Sequence, residues 1–391
     1  MRRALLVTLA LAVLNAGPAG AQQREHGRFP RKWLMAGIGA VAGGLTALLY
    51  SGTGSGFGGP CTKNSCVAAM TITIGFGAGY LVGGERDQLY RLRYRNAPPL
   101  SVRGQALPLS VVANDISGRG GSLVAAGEEG VEVVLAGPRL ERGDVRARGL
   151  RGVAAALPDP GANRLFVATA TGLFGFALTG PRLAGNLLAS GEVGALDVRG
   201  DLAMIVTDGA LRSARLEGDS LTGLSAPRTF QSRVTDVAWD PERPIVWVLT
   251  ETALIALAAS DSGLADSLGA MEVPGTGRRL TLRGTTVAVA GGDGGAVIGD
   301  VSDPRAMHAT AHWTGARFVY DVALSAGALY IAAGPEGLYV MSRSPEGGLS
   351  PLGLARGLGF VAALESRGDD LYLLDRTGSV VRRVTMSSIA R

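Results

Sequence analysis

Three kinds of residue in this sequence have types and spacings that suit chemistry: a histidine pair, a cysteine pair and recurrent polar residues beside apolar runs. His308 and His312 stand four residues apart in MHATAHW. On a regular strand this spacing places both imidazoles on one face, as a metal site requires. No acidic third ligand lies nearby in the sequence. An ordinary outer-strand pair is therefore favoured over a metal site.

The recurrent polar residues stand where short apolar runs begin. Asn114, Asp236 and Asp321 each lie near the start of such a run. If these runs are the innermost strands of a ring, the three side chains surround one mouth of its central channel, where a ligand can bind. The structural interpretation is that Asp and Asn satisfy backbone amides at turns, and it is favoured.

The two cysteines, Cys61 and Cys66, lie close together in PCTKNSC. In an oxidising compartment they are expected to pair, with two free thiols as the alternative. Two thiols without a nearby histidine fall short of a zinc site. The segment GSGFGG at 54–59 has the spacing of a dinucleotide-binding loop, but no strand precedes it, so a flexible linker is predicted. We expect no cofactor, and no nucleophile with its base is visible.

The N-terminal quarter of the chain differs from the rest in charge. Arg2 and Arg3 precede an apolar run, and small residues precede Gln22, so residues 1–21 are predicted to be a secretory signal peptide, with an uncleaved anchor as the alternative. A basic flank at 22–32 and a basic linker at 85–98 follow. The net charge is +8 for residues 1–98 and −3 for residues 99–391. The large C-terminal part therefore lacks the basic face that binding to nucleic acid requires.

Residues 33–84 contain two uncharged segments, 33–50 and 67–84, of 18 residues each. As helices they would cross most of a bilayer core of about 30 Å. Glycines at four-residue spacing would let the two helices pack closely; they are Gly39, Gly43, Gly75, Gly79 and Gly83. We predict a transmembrane α-helical hairpin, with a buried hairpin of a soluble domain as the alternative. The region resembles the glycine-zipper two-transmembrane segments of bacterial envelope proteins.

An apolar run, a break at a small residue and a second apolar run recur seven times along the chain. The copies span 123–134, 166–176, 204–214, 246–257, 287–299, 329–340 and 371–384. The break residues are Gly130, Gly172, Ala210, Ala253, Gly295, Gly337 and Gly378, at intervals of 42, 38, 43, 42, 42 and 41 residues. Each copy is predicted to be a β-hairpin. A third apolar run precedes most copies, and the polar stretches leave room for a fourth strand.

Four strands in a period of about 40–50 residues describe one blade of a β-propeller. We therefore predict an all-β, seven-bladed β-propeller over residues 99–391, after the N-terminal helical hairpin. The last copy is followed by little chain, only TMSSIAR. The segment at 99–109 is accordingly expected to complete the final blade, which would join the two ends of the domain.

The fifth and sixth copies resemble the LVIVD repeat, a β-propeller unit of bacterial and archaeal extracytoplasmic proteins. The matching residues are Asp300-Val301-Ser302-Asp303-Pro304, Asp321-Val322-Ala323 and Leu329 to Val340. The other copies have lost parts of this pattern. The resemblance implies a periplasmic or surface propeller with a binding role, and it brings no catalytic residues.

These patterns together predict an exported, membrane-tethered propeller, in the periplasm or at the cell surface, that binds or scaffolds an envelope protein or glycan. The membrane is the other expected partner, and nucleic acid is not one. One alternative is a propeller hydrolase or lyase that uses carboxylates of the channel. Another is a membrane oligomer formed by the glycine-zipper hairpin, with the propeller as its cap.

Overall fold

A computed structural model describes residues 97–385, with gaps at 103, 160, 162, 179–185, 219, 261–262 and 345–347. Ala97–Arg391 forms one compact unit, separate from the first 96 residues. The predicted signal peptide, the glycine-rich hairpin and both cysteines lie outside the described residues. Within the described part of the chain, we find no helix with the length and apolar character that a membrane crossing requires.

The described part of the chain forms 28 β-strands. The first is β1 (Gln105–Pro108). Blade 1 contains β2 (Ala113–Arg119), β3 (Ser122–Gly127), β4 (Gly130–Ala136) and β5 (Leu140–Arg148); blade 2 contains β6 (Val153–Asp159), β7 (Arg164–Thr169), β8 (Gly172–Ala177) and β9 (Asn186–Ser190). Blade 3 contains β10 (Val193–Arg199), β11 (Leu202–Thr207), β12 (Ala210–Glu217) and β13 (Ser220–Thr222); blade 4 contains β14 (Val234–Trp239), β15 (Ile245–Thr250), β16 (Ala253–Ser260) and β17 (Gly263–Glu272). Blade 5 contains β18 (Arg279–Arg283), β19 (Thr286–Ala290), β20 (Ala296–Asp300) and β21 (His308–Trp313); blade 6 contains β22 (Asp321–Leu324), β23 (Ala328–Ala332), β24 (Leu338–Arg343) and β25 (Leu349–Ala355). Blade 7 contains β26 (Val361–Arg367), β27 (Asp370–Asp375) and β28 (Val380–Thr385), together with β1.

Each blade is a four-stranded antiparallel sheet, and in blades 1 to 6 the order of strands in space is their order in the chain. The first strand of each blade packs against the first strand of the next. β22 contacts β26, and β26 in turn contacts β2 of blade 1, so the ring is closed. The prediction of an all-β, seven-bladed β-propeller is confirmed.

Packing between blades explains why the second strand of each blade is buried and mainly apolar. Every residue of Ile245–Thr250 in β15 is buried, and Trp247 has no exposed surface. Such a strand has a neighbouring blade on each of its two faces, so it shows no alternation of polar and apolar residues. By contrast, Leu140–Arg148 in β5 alternates between buried and exposed positions over most of its length, because it is the outer strand of its blade.

The break residues of the seven repeats stand at the start of the third strand of each blade. Four of them begin β4, β8, β12 and β16, and the others lie one or two residues before β20, β24 and β28. Gly337, before β24, has a φ of +107°, and a Cβ there would lie 2.1 Å from the carbonyl oxygen of Ala355 in β25. Glycine at this position therefore permits both the turn and the close approach of the fourth strand.

Both ends of the described chain contribute to blade 7. β1 pairs antiparallel with β28, with Gln105 opposite Arg383. The backbone N–H of Leu100 also donates to Leu354 O at 3.0 Å, on the outer strand of blade 6. Arg367 Nη2 donates to Ser122 O at 2.6 Å, which links blade 7 to blade 1. The segment expected to complete the final blade does so through residues 105–108.

Candidate functional site

The first strand of each blade lines the central channel, and four charged residues hold equivalent positions on these strands. They are Asp115 of β2, Asp236 of β14, Arg279 of β18 and Asp321 of β22. The Arg279 guanidinium forms an ion pair with Asp115 and so joins blade 5 to blade 1. At least two blades separate these partners around the ring, so the pair spans the channel. The charge of Arg279 also acts on Asp236 and Asp321.

The two predicted aspartates each join their own blade to the next one. Asp236 accepts hydrogen bonds from the N–H of Val237 at 2.9 Å and from the N–H of Leu280, in blade 5, at 2.9 Å. Asp321 repeats the arrangement. It accepts from its own strand at 2.8 Å and from the N–H of Leu364, in blade 7, at 2.7 Å. These carboxylates therefore satisfy backbone amides, and the amides belong to two adjacent blades.

Asn114 is not the equivalent of Asp236 and Asp321 in the ring. The pairing of β2 with β3 shifts between Ala113 and Asp115, which marks a β-bulge. Successive side chains of a strand point to opposite faces, and the channel position therefore belongs to Asp115, beside Asn114. An acidic residue next to the predicted one was the available signal, but the sequence alone did not show where the bulge lies.

Burial changes the charge state of the channel acids. It raises the pKa of Asp236 to about 6 and that of Asp321 to about 7, against the opposing charge of Arg279. Glu365 on β26 lies nearby, and burial raises its pKa to about 8 although Arg367 Nε stands 3.7 Å from its Oε1. About a quarter of the Glu365 side chain, 26%, remains exposed. Part of this acidic cluster therefore carries protons at neutral pH.

Asp197 of β10 makes a further link across blades. Its Oδ1 lies 2.9 Å from Arg119 Nη2, at the end of β2, which connects blade 3 to blade 1. It also accepts a hydrogen bond at 2.7 Å from the N–H of Trp239 in blade 4. Burial raises the pKa of Asp197, while the positive charge of Arg119 opposes the rise. Asp197 was not among the site residues predicted from the sequence.

The two histidines lie on β21, the outer strand of blade 5. The register with β20 shifts between them, so that Thr310 is an extra residue. Because of this bulge, His308 and His312 point to opposite faces of the strand, unlike the same-face arrangement that a spacing of four predicts for a regular strand. His308 is exposed, and His312 Nε2 lies 2.6 Å from Gly294 O. Within the described ranges, no group of three or more His, Cys, Asp or Glu side chains is placed to hold a metal ion.

Three aromatic residues that were not among those predicted from the sequence lie just before the first strands of blades 6 and 7. The rings of Phe318 and Tyr320 have centroids 4.7 Å apart at 50°, and those of Tyr320 and Phe360 are 4.9 Å apart at 68°. All three are half-buried. We call these three residues the aromatic ladder. The Arg278 guanidinium lies 5.3 Å from the Phe318 ring centroid.

Glycine turns of the preceding blades seat the aromatic ladder. Gly292 and Gly334 pair with Val319 and Val361, the residues that directly follow Phe318 and Phe360. A Cβ on Gly334 would lie 2.5 Å from Tyr320 Cε2, so the ring rests on this turn. The sequence signal was an aromatic residue before the valine in RFVYDV and again in GFVAAL.

Among solved structures, the chain is similar to the WD40 β-propeller domain of Doa1, with 13% sequence identity and a TM-score of 0.54, over 75% of this chain and 99% of that one. The computationally designed Ika8 protein matches with 12% identity and a TM-score of 0.46, over 73% of this chain and 98% of that one. At these values the first match shows only that the fold is shared, and nothing is inferred from the second. No model of a known protein family matches the chain, and no curated protein matches it in sequence.

The strand topology and this likeness define the class of protein: a seven-bladed β-propeller. The finer resemblance to the LVIVD repeat stays a prediction, as does the glycine-zipper hairpin.

Proposed function

We propose that the protein is an exported β-propeller, tethered to a membrane by its N-terminal hairpin, that serves as a binding or scaffolding module of the bacterial cell envelope. The signal-like residues 1–21 and the two uncharged segments after them support the location. The partner is an envelope protein or glycan, which the loops on one face of the propeller engage while the hairpin holds the ring near the bilayer.

The observation that carries this proposal is how the channel acids are used. Asp236 and Asp321 each accept two backbone hydrogen bonds, one from a neighbouring blade, and Asp115 pairs with Arg279 across the ring. Side chains that hold a ring together are poorly placed to turn over a substrate. The loops at the channel mouth carry exposed side chains such as Arg278 and Arg317, and loops on a rigid scaffold are where proteins place binding residues.

The rival function, a hydrolase or lyase acting in the channel, has one observation in its favour. Burial raises the pKa values of Asp321 and Glu365 into the range that suits proton transfer at neutral pH. Structural ion-pair networks perturb pKa values in the same way, however. The Arg279 guanidinium crosses the same channel and pairs with Asp115. A binding module with a structural ion-pair network therefore accounts for more of the contacts in the channel than an enzyme does.

Cell fractionation tests the location. The full chain is compared with a chain that lacks residues 22–98 behind the same signal peptide. We expect the full chain to stay with membranes after a carbonate wash and the shortened chain to be released with the periplasmic fraction. A full chain found entirely among soluble periplasmic proteins would contradict the tether, and a cytoplasmic full chain would contradict export.

Crosslinking in intact cells tests the binding role separately. Both chains are crosslinked, purified under denaturing conditions and examined for covalently attached protein or glycan. We expect the same envelope component on both chains, because the propeller makes the contact. A component attached only to the full chain would assign binding to the hairpin instead.

A further inference from the structure

The aromatic ladder lies in a sector of the propeller that carries an excess of positive charge. Four arginines near the start of the first strands and in the adjoining turns of blades 5 to 7 are exposed: Arg278, Arg317, Arg356 and Arg376. Three acids lie among them: the exposed Asp293, the half-buried Glu336, and the buried Asp375, whose Oδ1 accepts the N–H of Phe360 at 3.1 Å. Glu336 is already engaged, because it accepts hydrogen bonds from Tyr339 Oη at 3.0 Å and from the N–H of Arg317 at 3.2 Å. The charge of this sector therefore complements an acidic partner.

The tilt of the rings indicates what shape of group they receive. Neighbouring rings are in contact, with centroids 4.7 and 4.9 Å apart, and at 50° and 68° to one another they offer no flat surface wider than a single ring. A partner therefore meets their exposed faces and edges, and this uneven apolar surface suits the small ring of a proline or the edge of an aromatic side chain of an extended peptide. Arginines beside such a surface bind carboxylates through paired hydrogen bonds.

The propeller backbone fixes the ladder in place before any partner arrives. Gly334 N and Val361 N each donate to the other's carbonyl oxygen at 3.0 Å, and Val319 N donates to Gly292 O at 2.8 Å. These bonds fix the residues that directly follow Phe318 and Phe360. A rigid site loses little conformational freedom on binding, which favours affinity.

We propose that the aromatic ladder, with Arg278 and Arg317 beside it, is the docking site for an acidic segment of a partner protein that packs a proline or aromatic side chain against the exposed surface of the rings. This inference rests on the proposed binding role and deepens it: it names the face, the residues and the chemical class of the partner. The aromatic rings anchor the segment, and the arginines select its acidic flanks.

Selection of peptides by the full-length protein in detergent tests the proposal. A random dodecapeptide phage library is selected on the wild-type protein and counter-selected on the Phe318→Ala/Arg317→Glu double variant. We expect the enriched peptides to carry Asp or Glu next to a proline or aromatic residue. Enrichment of basic peptides, or of none that distinguish the two proteins, would overturn the proposal.

Fluorescence polarisation with a fluorescein-labelled copy of the most enriched peptide measures the dissociation constant. Phe318→Ala and Arg317→Glu should each weaken binding by about tenfold or more, as expected for anchors of a small site. Arg151→Glu is the matched control, because exposed Arg151 holds the position before β6 that Arg317 holds before Val319. It should leave the dissociation constant within about twofold. Equal losses in the control and in the two ladder variants would contradict a specific site.

Two further outcomes separate this inference from the proposed function. Polygalacturonate, an anionic glycan, is titrated against the same variants. If polygalacturonate binding depends on Phe318 and no peptide is selected, the aromatic ladder binds glycans, and the proposal of a peptide partner is overturned. If the double variant still crosslinks to the same cellular component, the proposed binding function is supported, but the aromatic ladder is not its docking site.

Discussion

At the scale of single residues, the channel carboxylates show how one side chain joins two blades. In Asp236 and in Asp321, Oδ1 accepts the N–H of the next residue in the same strand and Oδ2 accepts an N–H from the following blade. Burial works against the charged form of these groups, and Arg279 works for it. The pH therefore decides whether these carboxyl groups are charged.

Glu365 offers a clear test of this balance, because its pKa rises to about 8 on burial from an ordinary value of about 4.3. A raised pKa means that the folded protein binds the proton more tightly than the unfolded chain does. The resulting stabilisation is complete below about pH 4 and is lost as the pH rises through about 8. We expect the free energy of unfolding of Glu365→Gln to decline less between pH 5 and pH 8.5 than that of the wild type, by about 1–3 kcal/mol.

Urea denaturation followed by tryptophan fluorescence at several pH values measures this difference on residues 97–391. Glu272→Gln makes the same chemical change at an exposed position at the end of β17 and is the control. Identical pH profiles for the wild type and Glu365→Gln would show that this carboxyl group does not carry the pH dependence.

At the scale of the β-strand, the turn into the third strand is the element that recurs most regularly. Gly337 combines a φ of +107° with a Cβ position 2.1 Å from Ala355 O. Any side chain there meets both backbone strain and a collision with the neighbouring strand. A Cβ on Gly130, Gly172 or Gly295 would also lie within 2.4 Å of a carbonyl oxygen of the fourth strand, so the glycines at these breaks meet a steric requirement of their blades.

Replacing Gly337 with alanine is expected to lower the free energy of unfolding by about 2–4 kcal/mol, since β24 or β25 must move to accommodate the Cβ. Gly327→Ala is the matched control in the same blade. No atom lies within 4 Å of a Cβ at Gly327, so the change should stay within about 0.5 kcal/mol. Thermal and urea denaturation of both variants measure the effect. A Gly337→Ala protein as stable as the control would mean that the turn adapts freely.

The strands were predictable from the sequence, whereas the residues of the site were predictable only in part. Break residues such as Gly130 and Gly337 mark the third strands because their steric requirement arises within a single blade, from the backbone of the adjacent fourth strand. Asp115 was missed in favour of Asn114, because a bulge changes which side chain faces the channel. The same effect separates His308 from His312. The aromatic ladder brings together residues 318 and 360, and a single sequence does not display a contact between separate repeats.

At the scale of the whole molecule, the ring depends on the pairing of β1 with β28. Gln105 to Pro108 cover the edge of β28, and the N–H of Leu109 donates to Ser379 O at 2.7 Å. Arg383 Nη1 adds hydrogen bonds to Gly137 O at 2.7 Å and Pro138 O at 3.0 Å, which tie blade 7 to blade 1. Without β1, the backbone groups of β28 would face solvent unpaired.

Removing β1 is expected to destabilise the ring and to cause self-association. A chain that begins at Ser110 exposes β28 as an edge strand, and exposed edges pair with other chains. We expect an unfolding midpoint lower by more than about 5 °C than that of residues 97–391, together with dimers or larger species. Differential scanning calorimetry and size-exclusion chromatography with light scattering measure the two effects. A monomer with an unchanged midpoint would show that the pairing contributes little.

The shared seventh blade has a consequence for biosynthesis. Of the strands described, β1 is translated first and β28 last, yet each needs the other. A nascent polypeptide cannot complete this blade before β28 has been synthesised and has left the ribosome, so the ring remains incomplete until then. A premature stop codon anywhere upstream of β28 removes the partner of β1, and the product retains an unfilled gap in place of a finished disc.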